Sequence, residues 1–427
     1  MPKLKRALNL WEVTLIGVGI IVGAGIYVLI GEAAGLTGNS VWLSFIIAAI
    51  VSSFTGLSYA ELSSRFPKAG AEYVYIKESF GRKFAWLVGW LIIIGAVISA
   101  AAVSIGFANY FSAMFHTPVI LTALTVLIIS SLILIAGVEE SALLTIIFTL
   151  IETGGLVVIV LIGLPHLGSV DYFQMANGIK GVLEASALIF FAYIGFQSIT
   201  RLSEETKNAE KTIPKAVLLS IVITTILYVL VAISAVSIVP WQQLANSKAP
   251  LGLVAGIVFG EKSFLILSTV ALFSTFNTIL AVLLSASRLV YGIAEFNALP
   301  RIFLSVLRKR KTPWVSIIAV VLASMAFTLI GDLSKVANLT NFSIFVTFIS
   351  VNAAVIYLRY KKPTNRGFKV PLNIGRFPLI PFFGILSCFL LILNVGLDVI
   401  IWGSVLILIG LVIDELMEVK INKKLRI

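Results

Sequence analysis

The chain has 427 residues, of which 59% are apolar and 12% charged, with a mean hydropathy of +1.06 and a formal net charge of +12. A soluble domain carries about 25% charged residues, so this composition excludes one and describes an integral membrane protein. The single cysteine, Cys388, lies in an apolar run, which excludes an intrachain disulfide.

Apolar runs of about 18 or more residues, the length a bilayer demands, occur about twelve times. They fall near residues 11–32, 41–63, 84–114, 119–137, 141–164, 182–201, 214–239, 263–297, 314–331, 337–360, 378–396 and 398–418. The third and eighth are longer than one perpendicular crossing needs, which predicts tilt or extension beyond the bilayer. An even number of spans places both termini on one side. Of the 32 Lys and Arg, only Lys180, Lys248, Lys262 and Lys335 then fall on the other side. The positive-inside rule therefore predicts a multi-pass protein of the cell membrane with cytoplasmic termini. The basic balance reports topology and calls for no nucleic-acid partner. The start, MPKLKRALNL, has no cleavage-site pattern, so no removable signal peptide is expected.

The first span, LIGVGIIVGAGIYVLIG, carries Gly17, Gly19, Gly23 and Gly25 where a membrane helix should be continuous. Each glycine costs a helix about 1 kcal/mol relative to alanine. Broken helices at membrane depth offer free N–H and C=O groups to substrates and ions. Small residues that let helices pack closely are the second reading of the same pattern.

In the fifth span Glu152 is flanked by apolar sequence for about two helical turns on either side, and a central carboxylate costs about 2.5–3.5 kcal/mol to insert. Burial disfavours the charged form, so such a carboxyl can carry a proton. As an oxygen donor it can also hold sodium. A structural role, accepting hydrogen bonds from neighbouring helices, is the third reading. Glu184 sits near one end of the sixth span, and Glu32, Glu61 and Asp398 lie at or near span ends, where bland roles are expected. The sixth span, ALIFFAYIGFQSIT, repeats the irregularity of the first, with Gly195 and Gln197 among aromatics that include Phe191. One broken span near the start of each set of five points to an inverted repeat with a midplane site. The stretch from Trp241 to Gly260 reads as a re-entrant or surface helix, or as a loop. The eighth span places Ser274, Thr275, Asn277 and Thr278 close together, although intramembrane hydroxyls often bond to their own helix.

Enzyme and cofactor signatures are missing. His116 and His166 stand beside prolines at span ends, and no metal-ligand spacing occurs. The Gly19–Gly23–Gly25 stretch lacks the strand, helix and acidic residue that a dinucleotide fingerprint requires. The sequence therefore predicts no enzyme, no cofactor and no resident metal. A channel would need a continuous polar pore, and no filter-like repeat appears. A binding protein that does not translocate is the remaining class.

GVGIIVGAGIYVL in the first span, YAELSSRFPKAGAEYVY after the second, FFAYIGFQ in the sixth with EETKNAEKTIPKAV beyond it, and SASRLVYGIAEFNALP followed by KTPW are, taken together, a specific set. In that order over nearly the whole chain they resemble the amino acid–polyamine–organocation superfamily, and most closely its cationic amino acid transporter-like and prokaryotic amino acid permease branches. The resemblance implies an all-α membrane protein of twelve helices. Residues 11–164 and 182–360 would form a five-plus-five inverted repeat with helices 1 and 6 broken, and 378–418 two further helices. It implies a secondary transporter whose amino acid substrate lays its carboxylate on the amides of Gly23, Ala24 and Gly25. The amino group would meet carbonyls near Ile21, Phe191 and Ile194. Helix N-termini favour anions and C-termini cations, which suits a zwitterion. Relatives with a serine at the Ala24 position gain a hydroxyl contact that this chain lacks, and Gln197 stands where many carry an acid. The large aromatic Phe191 resembles the family's lid. Val97 and Ala100 correspond to the side-chain pocket, where small apolar residues suggest a neutral amino acid. Glu152 aligns with the coupling position, with Ser274 or Thr275 opposite it. Proton-coupled uptake by alternating access is the preferred expectation; sodium coupling, or a cationic amino acid or polyamine as cargo, is the alternative.

Overall fold

A computed structural model describes residues 7–66, 71–137, 142–295, 299–307, 310–363 and 367–424. Both chain ends, the motif residues 67–70 and 296–298, and parts of the basic links at 308–309 and 364–366 lie outside the described residues.

The protein is mostly helical. In chain order the helices are α1 (Leu10–Ile21), α2 (Ala24–Thr37), α3 (Val41–Arg65), α4 (Ala71–Phe80), α5 (Arg82–Phe115), α6 (Val119–Ala136), α7 (Ala142–Gly163) and α8 (Gly178–Ile189). They continue as α9 (Ala209–Ile238), α10 (Trp241–Asn246), α11 (Pro250–Phe259), α12 (Glu261–Glu295), α13 (Trp314–Thr328), α14 (Leu333–Lys361), α15 (Leu379–Ile392) and α16 (Leu397–Lys424). A two-residue hairpin, Asn373–Ile374 against Phe377–Pro378, leads into α15.

Among the described residues, nine helical stretches are long and apolar enough to cross a membrane. This makes the chain an all-α, multi-pass membrane protein. The number differs from the run count for physical reasons. The first run is divided between α1 and α2, and α2 continues through a tight turn at Gly38–Ser40 into α3, so that Ala24–Arg65 forms one long stretch. The runs near 314–331 and 378–396 fold into α13 and α15, of 15 and 14 residues, which are shorter than a full crossing. α5 and α12, at 34 and 35 residues, are about 50 Å long at 1.5 Å per residue, well beyond the hydrocarbon thickness. The stretch from Trp241 to Gly260 is helical: α10 packs on α2 and α11 on α12, burying Leu244, Leu251 and Val254.

The interior is built where α5 meets α12 and α14, and where α3 meets α9. α1 lies against α9, and the second broken span against α2 and α3. Around this core, Leu121, Leu132, Leu150, Leu161, Ile266 and Leu408 are exposed. An apolar outer surface is what lipid, as solvent, requires.

Candidate functional site

Two helix breaks face each other inside the core. α1 is started by a capping box, in which Asn9 Oδ1 accepts from the amides of Trp11 and Glu12 while Glu12 receives the Asn9 amide. It stops at Ile21, Val22 and Gly23 are extended, and α2 begins at Ala24. The second break follows α8. The chain tightens into a 3-10 turn at Phe190–Tyr193, leaves it at Ile194, and turns at Gly195 with φ +127°, where a side chain would also crowd the Ile20 carbonyl. Ending a helix frees carbonyl groups, which buried backbone cannot leave unmade. Asn341 on α14 donates to two of them, Ala187 O at 2.7 Å and Leu188 O at 3.1 Å.

The four glycines of the first span divide into two kinds. An added methyl at Gly17 would strike Ser220 Oγ and Ile199, and at Gly19 the side chain of Thr149. Those two are close-packing positions. Gly17 allows Ser220 on α9 to donate to the Thr14 carbonyl at 2.9 Å. At Gly25 a methyl would lie 2.5 Å from Ala192 Cα, so this glycine lets the two breaks touch backbone to backbone. Gly23 sits at the break, and a methyl there would come 3.1 Å from Thr278 Oγ1.

One face of α12 connects the first break to the buried carboxylate. Residues 274, 277 and 278 share a helical face. Thr278 Oγ1 accepts the Ala24 amide at 3.3 Å and donates to the Ser274 carbonyl at 2.9 Å. Asn277 Nδ2 donates to Glu152 Oε1 at 3.2 Å, and Glu152 is 2% exposed. Among the described residues, Ser274 Oγ on this face is buried with no hydrogen-bond partner. Thr275 points its hydroxyl to its own helix, at Ala271 O and Leu272 O.

Three tyrosines complete the frame, and sequence reasoning missed all of them. Tyr228 on α9 shares one hydroxyl proton between Ile21 O at 3.1 Å and Ala192 O at 3.3 Å, one carbonyl from each break. Tyr27 donates to the main-chain carbonyl of Glu152 at 2.5 Å, an approach allowed by Gly155, where a methyl would sit 2.7 Å from the tyrosine oxygen. Tyr110 donates to the Tyr27 carbonyl at 2.9 Å. A buried tyrosine must place its hydroxyl on a partner. That requirement was the available signal, although sequence does not say where the partner lies.

The sequence-derived residues are thus distributed as follows. Ile21, Gly23, Ala24, Gly25 and Ile194 lie at the breaks, and Phe191 is in the 3-10 turn, 7% exposed. Ser274 belongs to the polar row of α12, and Glu152 meets that row at Asn277. Val97 and Ala100 are buried on α5, where Ser324 donates to the Val97 carbonyl at 2.8 Å.

Two backbone breaks are thus bridged by the hydroxyl of Tyr228, and Thr278 and Asn277 of α12 link the first break to the Glu152 carboxylate. The family model for amino acid permeases matches residues 8–412. The chain belongs to the amino acid permease family. A branched-chain amino acid permease of Bacillus subtilis is 31% identical, over 98% of this chain and 94% of its own length. The vacuolar cationic amino acid transporter 4 of Arabidopsis thaliana is 30% identical over 87% of this chain, which spans 65% of that relative. A methylthioribose transporter of Bacillus subtilis is 28% identical over 90% of this chain and 87% of its own length. The permease is accordingly a membrane transporter of the amino acid–polyamine–organocation superfamily, and its relatives are transporters rather than enzymes.

Proposed function

We propose that this permease is a proton-coupled secondary transporter that takes up neutral amino acids by alternating access. The observation that carries the reading is the α12 face, on which Thr278 touches the first break and Asn277 touches Glu152. A substrate carboxylate on the amides of Gly23, Ala24 and Gly25 would compete with Thr278 for the Ala24 amide. Thr278 and Asn277 are neighbours on α12, so a shift of that helix segment would reach Glu152. The substrate amino group would draw on the carbonyls of Ile21, Phe191 and Ile194, with Tyr228 giving up Ile21. Phe191 would cover the substrate, and Val97 and Ala100 would face its side chain, with no ionisable group supplied by either. The match to a branched-chain amino acid permease supports a neutral, aliphatic cargo.

In this reading residues 11–164 and 182–360 are two inverted repeats of five helices, 378–418 adds two more, and both termini are cytoplasmic. The matching positions of the two breaks support the repeat, and the Lys and Arg distribution supports the sidedness.

Uptake of the twenty amino acids into proteoliposomes, under imposed proton or sodium gradients, tests the reading. Concentrative uptake of leucine, isoleucine or valine under an inward proton gradient is expected. Uptake only of arginine or lysine would replace the neutral cargo by a cationic one, as the cationic amino acid transporter relatives suggest. One observation favours a second coupling ion: Ser274 Oγ, buried without a partner among the described residues and three positions before the Asn277 that contacts Glu152, suits a sodium ligand. Uptake driven by sodium and indifferent to protons would establish that alternative.

A further inference from the structure

Away from the breaks, the ends of α13, α14 and α16 line a groove of ≈390 Å³, beside which Ile330 and Trp402 are exposed. Its walls include Ala326, Phe327, Ile330, Leu339, Trp402 and Leu406, and among the described residues that line it the charged ones are Lys335 and Asp398. These two lie at one end, where Asp332 caps α14 and Leu397 begins α16. Lys335 Nζ stands 3.4 Å from Asp398 Oδ2, and both side chains are more than half exposed.

The depth of the groove narrows its occupant. From Asp398 to Leu406 along α16 is about 12 Å at 1.5 Å per residue, close to one leaflet of a bilayer whose core is about 30 Å thick. A helix from a second copy would need an apolar face running the full thickness. An apolar groove of about this length, with its charged lining residues together at one end, suits an acyl chain attached to a headgroup. Its rim offers one cation and one anion side by side. An exposed ion pair of this kind is weak and exchanges readily for other charges.

We propose that this groove binds one phosphatidylethanolamine of the leaflet at the Lys335 end. One acyl chain fills the groove, the phosphate accepts from Lys335 Nζ, and the primary ammonium donates to Asp398. Phosphatidylcholine offers Asp398 no N–H donor, and phosphatidylglycerol offers it no cation. The headgroup therefore decides selectivity, while the chain contributes contact that all three lipids share.

Native mass spectrometry of the purified full chain, titrated with the three lipids carrying identical acyl chains, tests this. Phosphatidylethanolamine adducts are expected at least five-fold above the other two. Asp398→Asn should erase the preference over phosphatidylglycerol, since Lys335 then faces the phosphate alone. Ala326→Trp, which adds bulk at an apolar position of the groove's lining, should reduce all three lipids to the background seen with excess detergent. Equal adducts for the three lipids on the wild-type protein would overturn the proposal, as would an unchanged preference in Asp398→Asn. A dimer that Ala326→Trp dissociates would give the groove to a second copy and overturn it as well. If Ala326→Trp does not fold, the comparison of wild type with Asp398→Asn still decides.

Discussion

A glycine opposite a flexible side chain and a glycine opposite backbone look alike in sequence but respond differently to a methyl group. Gly25 is the second kind: Ala192 Cα, 2.5 Å from the added carbon, cannot move without moving the second break. Gly25→Ala is therefore expected to remove the amino acid-induced thermal shift, even though alanine favours a helix. Gly154, in α7, has no atom of the described residues beyond its own helix within 4 Å of an added methyl. Gly154→Ala should keep full binding and gain up to about 1 kcal/mol of stability from helix propensity. Substrate binding retained in Gly25→Ala would show that the close approach of the breaks is dispensable. Phe191 is a separate case, buried next to Ala192 rather than facing lipid. Phe191→Ala should weaken substrate by about 1–3 kcal/mol, the scale for losing contact with one large apolar side chain. A dissociation constant unchanged in isothermal titration would make Phe191 a core residue and remove the lid.

At the scale of elements, both broken spans are tied at the same end of the molecule. The amides of Ala7 and Leu8 donate to Glu205 O, and Lys207 N returns to Leu8 O, joining the start of α1 to the chain just beyond the second break. On the same side Glu61 of α3 holds Arg359 of α14 through two hydrogen bonds and also accepts the Val370 amide at 2.7 Å. Each side chain of that pair is only about a tenth exposed. Glu61→Ala removes the carboxylate from Arg359, which keeps Asn373 Oδ1 and the Val370 carbonyl, and strands the Val370 amide; it is expected to cost about 2–4 kcal/mol, somewhat below the figure for a fully buried pair. Thermal unfolding in detergent measures it, and a Tm within a degree of wild type would reduce the pair to a surface contact. Glu61 was legible in the sequence only as a span-end acid of bland role, because its partner is 298 positions away. The breaks themselves were legible, since glycine in an apolar span and a polar residue after an aromatic cluster are local signals. What separates Gly17 and Gly19 from Gly23 and Gly25 was not, because the four share a spacing and differ only in what lies opposite. Thr278 and Asn277 were visible as polar residues, yet their partners Ala24 and Glu152 lie 254 and 125 residues away. Tyr228 escaped notice for the same reason: its two acceptors exist only once both helices have ended.

For the molecule as a whole, the question is whether the carboxylate behind the breaks couples transport to an ion or merely holds α7 to α12. Its surroundings make the two roles separable. Asn277 donates to Glu152 Oε1, and Tyr27 donates to the Glu152 main-chain carbonyl, so neither hydrogen bond needs the negative charge. Glu152→Gln keeps an acceptor oxygen for Asn277 and leaves Tyr27 in place while removing the titratable group. The fold and the substrate site should therefore survive, with the dissociation constant changed less than about three-fold, or about 0.7 kcal/mol. Coupling should not survive. In proteoliposomes the variant is expected to exchange internal for external amino acid at near wild-type rate, because exchange returns the carrier loaded and needs no ion step. It should fail to concentrate substrate under an inward proton gradient. Glu152→Ala serves as the contrast, since it strands the Asn277 amide in the interior and should lower Tm as well. If Glu152→Gln accumulates substrate as steeply as the wild type, the carboxylate is structural and the ion acts at another group. If wild-type uptake follows sodium instead, Ser274→Ala should abolish that dependence, since its buried hydroxyl has no hydrogen-bond partner among the described residues.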